Sequence, residues 1–104
     1  MDSGTARKGT RAVDPALVVR RGREHVEAEM GDQTVMMSIA RGRYFALEGT
    51  AQRIWQLMAE PIAVGGIVDR LVEEYDVDRA TCEAEVSAFI AELIENGLAE
   101  VCEE

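Results

Sequence analysis

Hydrophobic spacing along the chain changes once, inside Gly42–Trp55, which reads GRYFALEGTAQRIW. Phe45 and Leu47 alternate with Tyr44 and Ala46, the period of a strand, whereas Ala51, Ile54, Trp55 and Met58 recur at the spacing of one helix face. Upstream of this junction the pattern is β. Val26, Ala28 and Met30 alternate with His25, Glu27 and Glu29, predicting a half-buried strand, and Gly31-Asp32 turns the chain. Val35, Met37 and Ile39 alternate with Thr34, Met36 and Ser38 in a second strand, and Ala40-Arg41-Gly42 leads into the third, Arg43–Leu47. Short turns between three strands predict an antiparallel meander whose third strand lies at an edge, with one row of backbone groups unpaired.

Downstream the pattern is helical. A first helix over Gly49–Ala59 is ended by Pro61, and Trp55 on its apolar face is expected to anchor the core. Val64, Ile67, Val68, Leu71, Val72 and Tyr75 predict a second helix, in which Gly65-Gly66 suggests close packing against a neighbour. Asp78 should cap a third, Arg79–Asn96, stopped at Gly97. Its apolar residues Cys82, Val86, Phe89, Ile90, Leu93 and Ile94 span an arc of roughly 140°, wider than the ~100° that one packing contact needs. The surplus implies a second partner or cover from the tail Leu98–Val101.

Residues 1–14 are small, polar and basic, and are expected to form a flexible arm; residues 15–104 should form one domain. Ala16–Val19 leads into the fold, and Arg20-Arg21-Gly22-Arg23 reads as a solvated turn. With no apolar N-terminal run and no membrane-length stretch, a cytoplasmic protein without membrane contact is expected. Cys82 and Cys102 lack metal or redox spacing and are expected to be free thiols.

Charge narrows the function. Met1–Leu47 carries eight Lys/Arg against six Asp/Glu (+2), and Glu48–Glu104 carries three against fourteen (−11), which together make the chain's −9. So acidic a helical half would repel a phosphate backbone, which argues against nucleic acid as a partner. The single histidine, His25, falls on the presumed polar strand face, and Ser87 has no base in a recognisable pattern. Catalytic triads and His-based metal sites therefore lack their parts. Glu73, Glu74, Glu83, Glu85, Glu92 and Glu95 fall on outer helix faces, where solvation accounts for them. No catalytic residue, metal or cofactor is expected.

The GRYFALEGTAQRIW junction, the LVEEYDVD stretch over Leu71–Asp78, and V-x-x-F-I-x-x-L-x-x-x-G-L over Val86–Leu98 occur here in a joint order that resembles the PqqD-like family. These are the RiPP precursor peptide recognition elements, and the similarity runs from about Val26 to Val101. Within the family the tyrosine-phenylalanine strand and the helix-1 tryptophan are most similar to the stand-alone B1-type proteins of lasso-peptide biosynthesis. Glu48 departs from the asparagine usual at this junction in the quinone-cofactor members. The resemblance implies an α+β winged helix-turn-helix, a three-stranded antiparallel sheet followed by three helices. It also implies a non-catalytic adaptor that binds the leader segment of a ribosomally made precursor and presents it to a cysteine-protease-like, B2-type leader peptidase and a cyclase. Carried over to this chain, the groove would lie between the third strand, Arg43, Tyr44, Phe45, Ala46 and Leu47, and Cys82, Val86, Phe89 and Ile90 of the third helix. A PqqD-type peptide chaperone for a radical-SAM enzyme is the alternative within the family. A winged-helix DNA-binding regulator is the alternative outside it, although its recognition helix would carry only Arg79 against Glu83, Glu85, Glu92 and Glu95.

Overall fold

The computed structural model describes residues 14–102. In chain order these form β1 (Val18–Arg21), β2 (His25–Met30), β3 (Gln33–Ser38), β4 (Arg43–Glu48), α1 (Thr50–Leu57), β5 (Ile62–Ala63), α2 (Val64–Glu74), α3 (Arg79–Glu95) and β6 (Ala99–Cys102). The arm expected over residues 1–14 lies outside the described residues apart from Asp14. The fold is mixed α/β, with three helices and two three-stranded antiparallel sheets, β2-β3-β4 and β5-β1-β6.

The meander β2-β3-β4 and the three helices fall where the periodicity put them; the second sheet was not expected. Arg20 and Arg21 belong to β1 and are not a solvated turn: they pair with Glu100 and Ala99 of β6, and Arg20 bridges to Glu100 at 3.0 Å. Gly22 then crosses β6 closely. Its N–H donates to Leu98 O at 2.8 Å, and a Cβ there would lie 2.8 Å from Gly97 O.

Positive-φ glycine and a side-chain cap fix the ends of α3. Asp78 accepts the Thr81 N–H at 3.0 Å. At the other end Gly97 takes φ 75°, Leu98 N donates to Leu93 O and Gly97 N to Ile94 O, so the last carbonyls are satisfied by a Schellman turn. The Gly65-Gly66 pair packs closely as expected: Gly65 N donates to Pro15 O at 2.9 Å, and a Cβ on Gly66 would meet Ile62 at 3.3 Å.

The faces of β2 and β3 are reversed from the expectation. Thr34, Met36 and Ser38 point inward and are buried, while Val26, Ala28, Met30, Val35 and Met37 point outward. Polar residues can occupy the inner face because each finds a partner. The Ser38 hydroxyl donates to Asn96 O and accepts from Arg41 N, and the Thr34 hydroxyl donates to Glu29 and accepts from Gln52. His25 likewise turns inward, its side chain 7% exposed, and meets Trp55 edge-on with ring centroids 5.4 Å apart. Trp55 is fully buried at the centre of a core that includes Val19, Met36, Met58, Ile67, Ile90 and Leu98.

Candidate functional site

The ladder of the meander determines which backbone groups remain free. Ile39 N donates to Glu24 O at 3.3 Å, and these two residues continue the register of the β2–β3 pairing, so they form a hydrogen-bonded pair. Alternation then directs the backbone of Met37 and Val35 toward β2, and that of Met36 and Thr34 toward their β4 partners Phe45 and Leu47. Tyr44, Ala46 and Glu48 are left with N–H and C=O groups pointing away from the sheet. β4 is an edge strand, and nothing among the described residues pairs with that side.

Helix α3 is held beside this edge in the opposite sense. At its C-terminus, Glu95 O accepts from Arg41, Asn96 O accepts from Ser38, and Arg43 approaches Asn96 Oδ1 at 3.5 Å. Toward its N-terminus, Cys82, Val86 and Phe89 share a cavity of about 410 Å³ with Thr50, Ala51 and Ile54, which follow directly on β4. Leu71, Tyr75 and Val77 complete the apolar wall, and Asp78, Thr81 and Glu85 supply the polar rim.

Of the residues expected to form a groove, Cys82, Val86 and Phe89 line this cavity. Ile90 does not: it has no exposed surface and packs wholly in the core, one position further round the helix. Phe45 and Leu47 turn inward against the core, whereas Tyr44 and Ala46 face outward with free backbone. Arg43 is exposed, its guanidinium 5.9 Å from the Phe45 ring. The sequence reading missed Ile54, Tyr75 and Val77. Tyr75 and Val77 lie in the LVEEYDVD stretch, where Tyr75 closes the apolar series of the second helix and Val77, apolar between two aspartates, was the available signal.

Burial pushes the Cys82 thiol above its ordinary value, and Glu85 adds to the push, so the sulfur stays protonated and weakly nucleophilic. Both cysteines are free thiols. No helix among the described residues is long and apolar enough to cross a membrane, and no group of three metal-ligating side chains occurs among them.

These elements make a small α/β domain with an open sheet edge beside an apolar cleft. The chain belongs to the PqqD family: the model described as coenzyme PQQ synthesis protein D matches residues 33–99. Among solved structures it is similar to "TbiB1 in complex with the TbiA(beta) leader peptide", at 32% identity and TM-score 0.72, over 82% of this chain and 99% of that one. It is similar also to "lasso peptide synthetase B1 complexed with the leader peptide", at 28% identity and TM-score 0.69, over 79% and 96%. The PqqD truncation of Methylobacterium extorquens PqqCD, a RiPP recognition element, shares the fold at 23% identity and TM-score 0.68, over 88% and 97%. No curated protein matches the sequence.

Proposed function

We propose that this chain binds the leader segment of a ribosomally synthesised precursor peptide as a strand added to β4, and presents it to maturation enzymes without catalysing a step itself. The observation that carries this reading is the coincidence of two features: the outward backbone groups of Tyr44, Ala46 and Glu48, and the apolar cavity between α1 and α3 at the end of the same strand. Main-chain bonds along the edge would supply affinity, and side chains dropped into the cavity would supply selectivity. Cys82, Val86 and Phe89 form one wall for such a side chain, and Ile54, Leu71 and Val77 the other. Arg43, exposed at the opposite end beside Asn96, would meet a leader carboxylate.

Two B1 proteins solved with leader peptides, at 32% and 28% identity, favour a lasso-peptide pathway. The partners would then be a B2-type leader peptidase and a cyclase. The PqqD family match favours a second reading, in which the same site delivers a precursor to a radical-SAM enzyme. The test is a titration of the isolated chain with the leader encoded beside it, followed by amide hydrogen exchange. Protection gained at Tyr44, Ala46 and Glu48 supports strand addition. Protection confined to α2, or cleavage of the precursor by this chain alone, overturns it.

A further inference from the structure

The β2-β3-β4 meander has a second open edge. The ladder parity that frees the backbone of Tyr44, Ala46 and Glu48 on β4 turns Val26 and Ala28 of β2 toward β3, and leaves the N–H and C=O groups of His25, Glu27 and Glu29 pointing away from the sheet. No backbone bond reaches these groups among the described residues, and every residue of β2 from Val26 to Met30 is exposed. By its backbone, β2 offers an extended chain as much as β4 does. The side chains on the inner side of the two edges differ. On β4 they are Phe45 and Leu47, apolar and packed against the core, with the cavity beyond. On β2 they are His25, Glu27 and Glu29. Glu27 accepts from Trp55 Nε1 and from Arg21, each at 3.4 Å, and its Oε1 lies 2.8 Å from His25 Nε2. Glu29 accepts from the Thr34 hydroxyl at 3.2 Å and from Gln52 at 3.4 Å. These bonds hold both carboxylates on the inner side of the edge while leaving them in contact with solvent.

We propose that Glu27 and Glu29 close the β2 edge to added strands and so direct the leader to β4 alone, an inference that rests on the strand addition proposed above. An added strand sets its own side chains beside those of the residues it pairs with, on the same side of the sheet. A leader fitted to β4 carries apolar side chains on its inner side, where they meet Phe45, Leu47 and the cavity. Laid along β2, the same side chains would cover Glu27 and Glu29 and strip the water that their remaining lone pairs keep. A second copy of the chain pairing through its own β2 would cover the carboxylates of both copies. Charge turned inward on an edge strand is a general means of refusing a further strand. The two edges of one meander are thus made unequal by side chains, not by backbone.

Titration calorimetry of the full chain with a synthetic peptide of the leader encoded beside it, joined to amide hydrogen exchange, tests this. The wild-type chain should take one leader, with protection gained at Tyr44, Ala46 and Glu48 and none at His25, Glu27 and Glu29. Glu29→Val should admit a second leader, bound about tenfold more weakly than the first, with protection gained on β2. Glu29→Gln, which keeps an acceptor for Thr34 and Gln52, should do so to a smaller degree. In the absence of leader, sedimentation velocity should show Glu29→Val self-associating at concentrations where the wild-type chain is monomeric. Circular dichroism checks that both variants keep the wild-type fold. A wild-type chain that takes two leaders, or gains protection on β2, overturns the inference while the reading of β4 stands. So do one leader per chain and unchanged self-association in the folded variants. A wild-type chain that takes no leader overturns that reading, and this inference with it.

Discussion

Arg21 closes over Trp55: its guanidinium sits 4.8 Å from the centre of the indole while Nε and Nη2 donate to the Trp55 carbonyl at 3.0 and 2.8 Å. The carbonyl belongs to the last turn of α1, where it also accepts the Met58 N–H at 3.1 Å. One side chain of β1 thus adds to the hydrogen bonding at the end of α1 and caps the central aromatic ring of the core. This contact joins the second sheet to the helix that follows the meander.

Arg21→Ala should therefore destabilise the fold by about 2 kcal/mol, through loss of a charge-assisted hydrogen bond and of the stacking on indole. Urea unfolding measures it. Arg21→Lys should recover less than half, because an ammonium cannot bond the carbonyl through two nitrogens while lying flat on the ring. A loss below about 0.5 kcal/mol would mean that β1 is held by its ladder alone.

Glu27 gives the fold a dependence on acid. Burial works against its charge, but hydrogen bonds from His25 and Trp55, together with the charge of Arg21, outweigh burial and hold its carboxyl below the ordinary 4.5. Because the folded value is the lower one, the stabilisation is fully present above the unfolded value and is lost as pH falls through the folded value. Chemical denaturation at a series of pH values should show stability declining below about pH 4.5, and Glu27→Gln should flatten that decline while lowering stability at neutral pH.

The ladder parity makes adjacent positions of β4 behave oppositely. Ala46→Pro removes an outward N–H from an edge, where proline is tolerated, so the fold should persist while leader binding weakens about tenfold or more. Phe45→Pro removes a donor that pairs with β3 and should unfold the meander. Circular dichroism and a fluorescence-anisotropy titration separate the two. Equal leader affinity for wild type and Ala46→Pro would remove β4 as the docking edge.

Neighbours on α3 should separate in the same way. Phe89→Ala enlarges the cavity wall and should weaken leader binding by about tenfold with a modest stability cost, whereas Ile90→Ala leaves a void in the core worth about 2–4 kcal/mol. If the folded fraction of Ile90→Ala binds leader normally, the division between groove and core stands as described.

The meander, the three helices and the edge position of Arg43–Leu47 could be read from spacing because each is local. The faces of β2 and β3 could not. Thr34 and Ser38 are polar by type, and only their partners Gln52 and Asn96, remote in sequence, make them acceptable inside. The same is true of His25, which is drawn inward by Trp55. β1 and β6 escaped notice because each is four residues long and its partner lies some 80 positions away, as with Val19 and Val101. On α3 the wide apolar arc takes in both core positions and positions on the cavity wall. Spacing alone could not separate Phe89, on the cavity wall, from Ile90, in the core.

The pairing of Val18 with Cys102 brings the two ends of the described region side by side on one sheet. A tether attached at either end would leave the molecule from the same place. The domain could therefore be carried at the head or the tail of a larger enzyme, or spliced into one of its surface loops, while keeping the same reach.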